Sequence, residues 1–98
     1  MPKGYWFAHI DVHDPEGYQA YVRADAPVFR DYGARFLVRG GASEPVEGQL
    51  RSRHIVIEFE DYATALACYR SREYQEARAL REPHASADIA VVEGSESP

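Results

Sequence analysis

The residues whose types could do chemistry are concentrated in predicted β-strands. His54 and Glu58 stand on either side of Val56 in the segment Arg53–Phe59, a β-branched run that ends in an aromatic residue, as is typical of a strand. Side chains alternate between the two faces of a strand, so the imidazole and the carboxylate share one face. An imidazole near neutral pKa, or a desolvated carboxylate, can act as a general base or acid. The opposite face is wholly apolar and consists of Ile55, Ile57 and Phe59.

Two other predicted strands extend this candidate set. His9 lies within Gly4–Val12, and Arg39 ends the segment Arg35–Arg39. A guanidinium group can hold a carboxylate or enolate oxygen through a forked pair of hydrogen bonds. We expect these polar groups to share the more polar face of the sheet, and we expect tyrosines to approach from helix edges. The predicted catalytic residues are Arg39, Glu58, His54 and His9, and the predicted ligand-binding residues are Tyr18, Tyr21 and Tyr69.

The same polar residues also have a structural interpretation. Partly buried charges are usually paired, so Arg39 and Glu58 could form an ion pair across neighbouring strands or across a dimer interface. Hydrogen-bonded or surface imidazoles are commoner than catalytic ones. In this interpretation the polar groups fix the geometry of the protein and take no part in chemistry.

No metal or cofactor is predicted. His9 and Asp11 share a strand face, but the four histidines are otherwise scattered, and a metal site needs three or four ligands. Glycine-rich phosphate loops and the Gly-x-Ser-x-Gly nucleophile motif do not occur in the sequence. Cys68, the single cysteine, falls in an apolar helical pattern that predicts an inert, buried thiol.

Composition narrows the function classes. The 98 residues predict one domain over residues 1–94 with a frayed tail at 95–98. The formal net charge of −5 argues against nucleic acid or an anionic membrane as the main partner. No apolar run approaches the roughly 18 residues that span a bilayer, and nothing resembles a signal peptide. We therefore expect a cytoplasmic protein.

The first helix is predicted from Asp14-Pro15, a cap followed by proline at the first helical position. Gly33 is suited to end it in a left-handed conformation, and Pro27 predicts a kink or restart near residues 25–27. The inward stripe, at spacings of three and four, consists of Tyr18, Tyr21, Val22, Asp25, Val28, Phe29 and Tyr32.

The second helical region is predicted in two parts. Asp61 should cap a helix that reaches about Arg70, and Ser71 should cap a shorter helix that ends before Pro83. A loop is expected over Ala42–Ser52 and a last strand over Ala87–Glu93. A solvated face with local ion pairs is predicted for Arg70, Arg72, Arg78 and Arg81 together with Glu73, Glu76 and Glu82.

The element order β-α-β-β-α-β predicts an α+β, ferredoxin-like fold: a four-stranded antiparallel sheet with its helices on one face. The uncovered face should carry Tyr5, Phe7, Leu37 and Val56, which is too apolar for free exposure. We expect a second copy of the chain to cover it, giving a homodimer about a two-fold axis.

Two stretches are specific enough to indicate a family. They are Arg-Phe-Leu-Val-Arg-Gly-Gly at 35–41 and Ser-Arg-Glu-Tyr-Gln at 71–75, supported by Gly4-Tyr5-Trp6, Asp14-Pro15, Tyr18, Tyr21 and Val56-Ile57-Glu58-Phe59. Over almost its whole length the chain resembles the small bacterial family catalogued as domain of unknown function 1330. The resemblance implies a dimeric α/β barrel and no particular reaction. Related barrels host cofactor-free oxygenases, isomerases, haem-degrading enzymes and binding modules, an analogy of fold and not of function.

Two functions of different classes follow. The first is a pocket between strands and helices that binds or transforms a small molecule bearing a carboxylate or carbonyl group. The second is a non-catalytic dimeric interaction module, whose polar strand residues only fix the dimer geometry.

Overall fold

A four-stranded antiparallel sheet forms the frame of the protein, in the spatial order β2-β3-β1-β4. The computed structural model describes residues 2–96. In chain order its elements are β1 (Gly4–Val12), α1 (Pro15–Asp31), β2 (Arg35–Arg39), β3 (Arg53–Phe59), α2 (Tyr62–Arg70), α3 (Arg72–Arg81) and β4 (Ala85–Glu93). The predicted ferredoxin-like α+β fold is confirmed, with the last strand starting two residues earlier than expected. Of the predicted tail, residues 97 and 98 lie outside the described residues.

The hydrophobic core lies between one face of the sheet and the helices. Trp6 is its centre: the indole is 1% exposed, donates a 2.9 Å hydrogen bond from Nε1 to the carbonyl of Ala65, and packs edge-on against Phe29 and Tyr74. Ile57 and Phe59 extend this core along β3, as their alternation predicts. Burial of each such side chain contributes about 1.5–3 kcal/mol, so this face sets the register of the strands.

Side-chain caps divide the second helical region. The Asp61 carboxylate accepts a 2.7 Å hydrogen bond from the backbone N–H of Thr64, and the Ser71 hydroxyl accepts one of 3.1 Å from Tyr74. Both predicted caps are confirmed. Because the helical region breaks at Ser71, the two helices α2 and α3 take the place of the second helix in the β-α-β-β-α-β order. Asp14 occupies the predicted N-cap position of α1 but makes no side-chain cap; its carboxylate pairs instead with His84, at 3.2 Å.

Of the predicted kink or restart of α1 near residues 25–27, the restart is wrong. The helix runs unbroken to Asp31, and Gly33 then adopts a φ of 69°. Pro27 removes one hydrogen bond from the ladder, but it lies on the exposed side of the helix, where water can reach the freed carbonyl. Val28 and Phe29, buried against the core, hold the next turn in place.

A β-bulge in β2 changes the direction of Arg39. Phe36 pairs with Ile57 and Val38 with Val56, so the register shifts between Phe36 and Val38. The extra residue reverses the alternation, and Arg39 comes to lie opposite Ile55 on the helix-facing side of the sheet. The prediction that Arg39 shares a face with Glu58 is therefore wrong.

The other sheet face has no helix over it within residues 2–96. Its apolar side chains are substantially exposed, with Phe7 37%, Leu37 46% and Val92 39% accessible. Large exposed apolar patches often serve as interaction sites in folded proteins. None of the helices described in residues 2–96 is long and apolar enough to cross a membrane.

Candidate functional site

A small cavity lies between the helix-facing side of the sheet and α1. Its volume is about 40 Å³, and its walls are largely apolar, with Trp6, Ile57 and Phe29 among them. Five polar side chains converge on this apolar space, three from the helix and two from the strand ends: Tyr18, Tyr21, Asp25, Arg39 and Arg53. Apolar cavities with a few convergent polar groups are the usual form of small-molecule sites.

Asp25 is the unusual member of this set. It belongs to the buried stripe of α1 and is 6% exposed. Burial disfavours the ionised carboxylate and raises the pKa of Asp25 from 3.8 to about 7, although the neighbouring Tyr21 hydroxyl and the positive charges of Arg39 and Arg81 act in the opposite direction. A carboxyl group that titrates near neutral pH inside a cavity can exchange protons with a bound molecule.

Behind Asp25, a chain of hydroxyl groups crosses the helical layer. The hydroxyl oxygens of Tyr21 and Tyr74 lie 2.8 Å apart, and Arg81 Nη1 donates to Tyr74 at 2.9 Å and to Tyr21 at 3.4 Å. Burial is the largest cause of the raised pKa values of both tyrosines, so both hydroxyls remain protonated at neutral pH. The two hydroxyls therefore satisfy the buried Arg81 guanidinium, and Tyr21 is also close enough to Asp25 to act on the pKa of its carboxyl.

Arg81 was predicted to lie on a solvated face, and this is wrong. It is 5% exposed, and its guanidinium carbon lies 5.1 Å from the centroid of the Tyr21 ring. The ion pairs Arg78–Glu82, at 2.9 Å, and Arg72–Glu76, at 3.6 Å, do occupy the exposed side of α3. The periodicity of α3 places Arg81 one turn beyond the buried Ala77 and two turns beyond the buried Tyr74, on the inward side.

Two arginines stand at the rim of the cavity. The Arg39 guanidinium carbon lies 4.0 Å from the centroid of the Phe36 ring, a cation–π contact that directs an exposed side chain along the opening. Arg53 lies beside Tyr18, and its positive charge partly offsets the burial that raises the Tyr18 pKa. Arg53 Nε is buried and has no hydrogen-bond partner among the described residues. Both cations are placed to meet an anionic oxygen that enters the cavity.

The predicted catalytic set is divided between the two faces of the sheet. His9, His54 and Glu58 project from the uncovered face, as their alternation predicts, whereas Arg39 lies at the cavity on the other side. The Nδ1 atoms of His9 and His54 lie 2.9 Å apart, and the Tyr5 hydroxyl donates to Glu58 at 3.1 Å. Within the chain the predicted Arg39–Glu58 ion pair is wrong, because the β2 bulge separates the two side chains.

The predicted ligand-binding tyrosines are also divided. Tyr18 and Tyr21 line the cavity. Tyr69 instead packs edge-on against Trp6, with ring centroids 5.5 Å apart. Its backbone carbonyl accepts a 2.6 Å hydrogen bond from Gln75. Tyr69 is therefore part of the core and borders a different groove, near β4.

Sequence reasoning missed Asp25 and Arg53 as site residues. The signal for Asp25 was present, since it is the only charged residue in the inward stripe of α1. A carboxylate in an apolar stripe requires a partner or a raised pKa, and the pKa of Asp25 is raised. Arg53 begins β3, where the candidate residues His54 and Glu58 lie on the uncovered face. Only the packed structure shows that Arg53 borders the cavity.

Metal ligands do not converge anywhere in residues 2–96: no group of three or more His, Cys, Asp or Glu side chains is close enough to hold an ion. The His9–His54 pair supplies two nitrogens only. Cys68 is fully buried, and burial, assisted by the nearby Asp25, raises the pKa of its thiol to about 12. The thiol is therefore protonated at neutral pH and is a poor nucleophile or metal ligand.

Comparison with known proteins identifies the family. The family described as "Domain of unknown function (DUF1330)" matches residues 3–95, which confirms the resemblance inferred from the sequence. No curated protein matches the chain.

Solved structures with the same fold have low sequence identity to this chain. A protein of unknown function from Rhodopseudomonas palustris is 18% identical with a TM-score of 0.70, over 97% of this chain and 84% of that one. SnoaB, a cofactor-independent oxygenase from Streptomyces nogalater, is 9% identical with a TM-score of 0.65, over 99% and 97%. A dimeric ferredoxin-like protein of unknown function from Thermobifida fusca is 14% identical with a TM-score of 0.61, over 96% and 91%. At these identities the likeness concerns the fold.

Proposed function

Because the chain belongs to the DUF1330 family, whose description states no reaction, we propose its function from the geometry of the cavity between the sheet and α1. The protein binds a small, largely apolar molecule that carries a carboxylate or an enolisable carbonyl group. The observation that carries this proposal is the buried Asp25, which faces an apolar cavity whose rim holds Arg39 and Arg53.

Each group then has a distinct role. The apolar walls receive the hydrocarbon part of the ligand, and the guanidinium groups of Arg39 and Arg53 bind its oxygen. For an enolisable carbonyl, the ionised Asp25 accepts the proton from the carbon next to the carbonyl, and the electron pair of the C–H bond moves to the oxygen held by the arginines. A base whose pKa lies near the working pH is suited to this transfer.

Entry requires the rim to open, since the cavity of about 40 Å³ holds only water-sized groups as it stands. Arg39 is exposed and is held at the rim by a single aromatic contact with Phe36, so its side chain can move outward. The ligand then replaces that contact with a charge-assisted hydrogen bond.

Ligand binding can be tested with two probes, benzoate for the carboxylate and 1,3-cyclohexanedione for the enolisable carbonyl. We expect at least one of them to raise the melting temperature of the wild-type protein and to bind measurably by calorimetry. Arg39→Ala should weaken binding about tenfold or more, whereas Glu58→Gln, on the opposite face of the sheet, should bind as the wild type does. Equal weakening by both variants, or no binding by either probe, would contradict the proposal.

The small volume of the cavity favours a second candidate, a dimeric module without a ligand. In this function the buried polar chain only orders the core, and the uncovered sheet face binds a second copy. Similarity to a dimeric ferredoxin-like protein supports the homodimer, and the exposed Phe7, Leu37 and Val92 supply an apolar surface for it. A protein that is dimeric by sedimentation but binds neither probe would favour this second function.

A further inference from the structure

The connection between β2 and β3 makes unusually few contacts. Residues 41–50, called here the arm, are all exposed. Within the described part of the chain, residues 2–96, they form no hydrogen bond or ion pair. The arm nevertheless carries apolar side chains, with Val46 83% and Leu50 59% exposed. An ordered loop of this length normally packs on its own chain or serves a binding role.

The base of the arm is fixed on the uncovered side of the sheet. Arg51 pairs with Asp11 at 2.9 Å and with Asp88 at 2.8 Å, and the backbone N–H of Ser52 donates to Asp11 at 2.9 Å. Asp11 lies on β1 two residues beyond His9, and Asp88 is the β4 partner of His9, so both carboxylates belong to the uncovered face. A second copy stacked on that face would meet the arm.

A groove of about 640 Å³ follows β4 on the side away from β1. Five consecutive β4 residues, 85–89, line it, and since their side chains alternate in direction, only the edge of the strand can present all five. In the described sheet β4 pairs with β1 alone, so this edge offers unpaired backbone N–H and C=O groups.

The charges of the groove and the arm are complementary. Three arginines, Arg51, Arg78 and Arg81, line the groove together with two carboxylates, Glu82 and Asp88, so the lining has one net positive charge. Arg78 is paired with Glu82 at 2.9 Å, and Arg81, which is 5% exposed, has no carboxylate within ion-pair distance in residues 2–96. The arm carries two carboxylates, Glu44 and Glu47, and no basic residue. The charge of the arm is therefore opposite in sign to that of the groove lining, which favours the docking of this segment over that of a basic one.

We infer that the arm of a second copy docks as an extended strand along the free edge of β4, with its Glu44 and Glu47 facing the net positive lining of the groove. In a two-fold dimer each copy docks its arm on the other, so this inference rests on the proposed homodimer. Backbone hydrogen bonds along the edge supply affinity, and the charges set the position of the arm. Pro45 has no backbone N–H to donate. It fits at a position of the arm where a backbone N–H would point away from β4.

Hydrogen exchange measured by mass spectrometry can test the arrangement at protein concentrations above and below dimer dissociation. We expect amides in residues 42–50 and 85–89 to exchange at least tenfold more slowly in the dimer than after dilution. The double variant Glu44→Arg/Glu47→Arg should lose this protection in both segments. A matched control, Glu16→Arg/Glu60→Arg, changes the same charge at exposed positions outside the arm and should keep it.

Three results would overturn the inference. If the protein is dimeric but the amides of the arm exchange hydrogen as fast as unprotected amides, the arm takes no part in the dimer, and the sheet-to-sheet contact alone holds it. Protection that persists unchanged in the diluted monomer would place the arm on its own β4 strand. A protein that stays monomeric at all concentrations would remove both the arm exchange and the homodimer.

Discussion

The hydroxyl oxygens of Tyr21 and Tyr74 lie 2.8 Å apart, joining α1 to α3 within the core. Tyr21 extends this contact towards Asp25 and Tyr74 extends it towards Arg81. The buried Arg81 guanidinium is thereby stabilised by two neutral hydroxyl groups without a direct ion pair to a carboxylate. Asp25 remains at the wall of the cavity, with the Tyr21 hydroxyl nearby.

Removal of the Tyr74 hydroxyl should destabilise the protein. In Tyr74→Phe, Arg81 loses its 2.9 Å acceptor and keeps only the longer contact to Tyr21, at 3.4 Å. An unsatisfied buried donor costs about 1–3 kcal/mol, and we expect a loss of that size in the free energy of unfolding measured with urea. The control is Tyr69→Phe, whose ring is retained in the core and whose hydroxyl has no hydrogen-bond partner within residues 2–96. Equal losses in the two variants would show that the hydroxyl chain contributes nothing.

Asp25 should make stability depend on pH in an uncommon direction. Its pKa of about 7 in the folded protein exceeds the ordinary 3.8, so between these values the folded state holds a proton that the unfolded state has released. The free energy of unfolding should then fall as pH rises from about 4 to about 7, at up to about 1.4 kcal/mol per pH unit.

Asp25→Asn removes this titration. Because the variant has no carboxylate to ionise in the core, its stability relative to wild type should increase steadily from pH 4 to pH 7. The control, Asp31→Asn, removes an exposed carboxylate at the end of the same helix. If urea unfolding gives the same difference between Asp25→Asn and wild type at both pH values, Asp25 does not titrate in this range.

Gly40 should be required for the position of Arg53. It adopts a φ of 69°, and a Cβ added there would overlap the Arg53 guanidinium. Gly40→Ala should therefore lose about 1–2 kcal/mol from the left-handed backbone and also displace Arg53 from the rim, weakening binding of benzoate. Gly48→Ala isolates the backbone contribution, because Gly48 has a φ of 76° with no atom within 4 Å of the added Cβ. If Gly40→Ala binds benzoate as tightly as the wild type does, Arg53 takes no part in ligand binding.

The uncovered sheet face should control association. Phe7→Glu places a charge among exposed apolar residues, and loss of the phenyl contact should weaken the dimer by about 2–3 kcal/mol, close to a hundredfold in the dissociation constant. Sedimentation velocity over a range of concentrations measures this change. Leu80→Glu, which alters a 44% exposed leucine on α3, should leave the dissociation constant unaltered. If Leu80→Glu weakens association more than Phe7→Glu does, the interface lies on the helical side of the protein.

Local sequence chemistry was sufficient for most of the fold. Alternation in Arg53–Phe59 predicted its buried face, and the short polar residues Asp61 and Ser71 predicted their helix starts. Each of these signals acts within about four residues, between a side chain and its own backbone or along a single strand. The family resemblance likewise rests on contiguous stretches and is confirmed over residues 3–95.

The candidate site depended on relations between elements that a single segment does not encode. A one-residue bulge in β2 moved Arg39 from the face of Glu58 to the face of Asp25, since each added residue reverses strand alternation. The placement of Arg81 inside the core follows from how α3 packs against α1, where two tyrosine hydroxyls satisfy its charge. The sequence by itself determined which segments form strands and helices and which stripe of each is apolar. Only the tertiary structure decided which polar groups meet, because their distances are set by strand register and helix packing over separations of up to 60 residues along the chain.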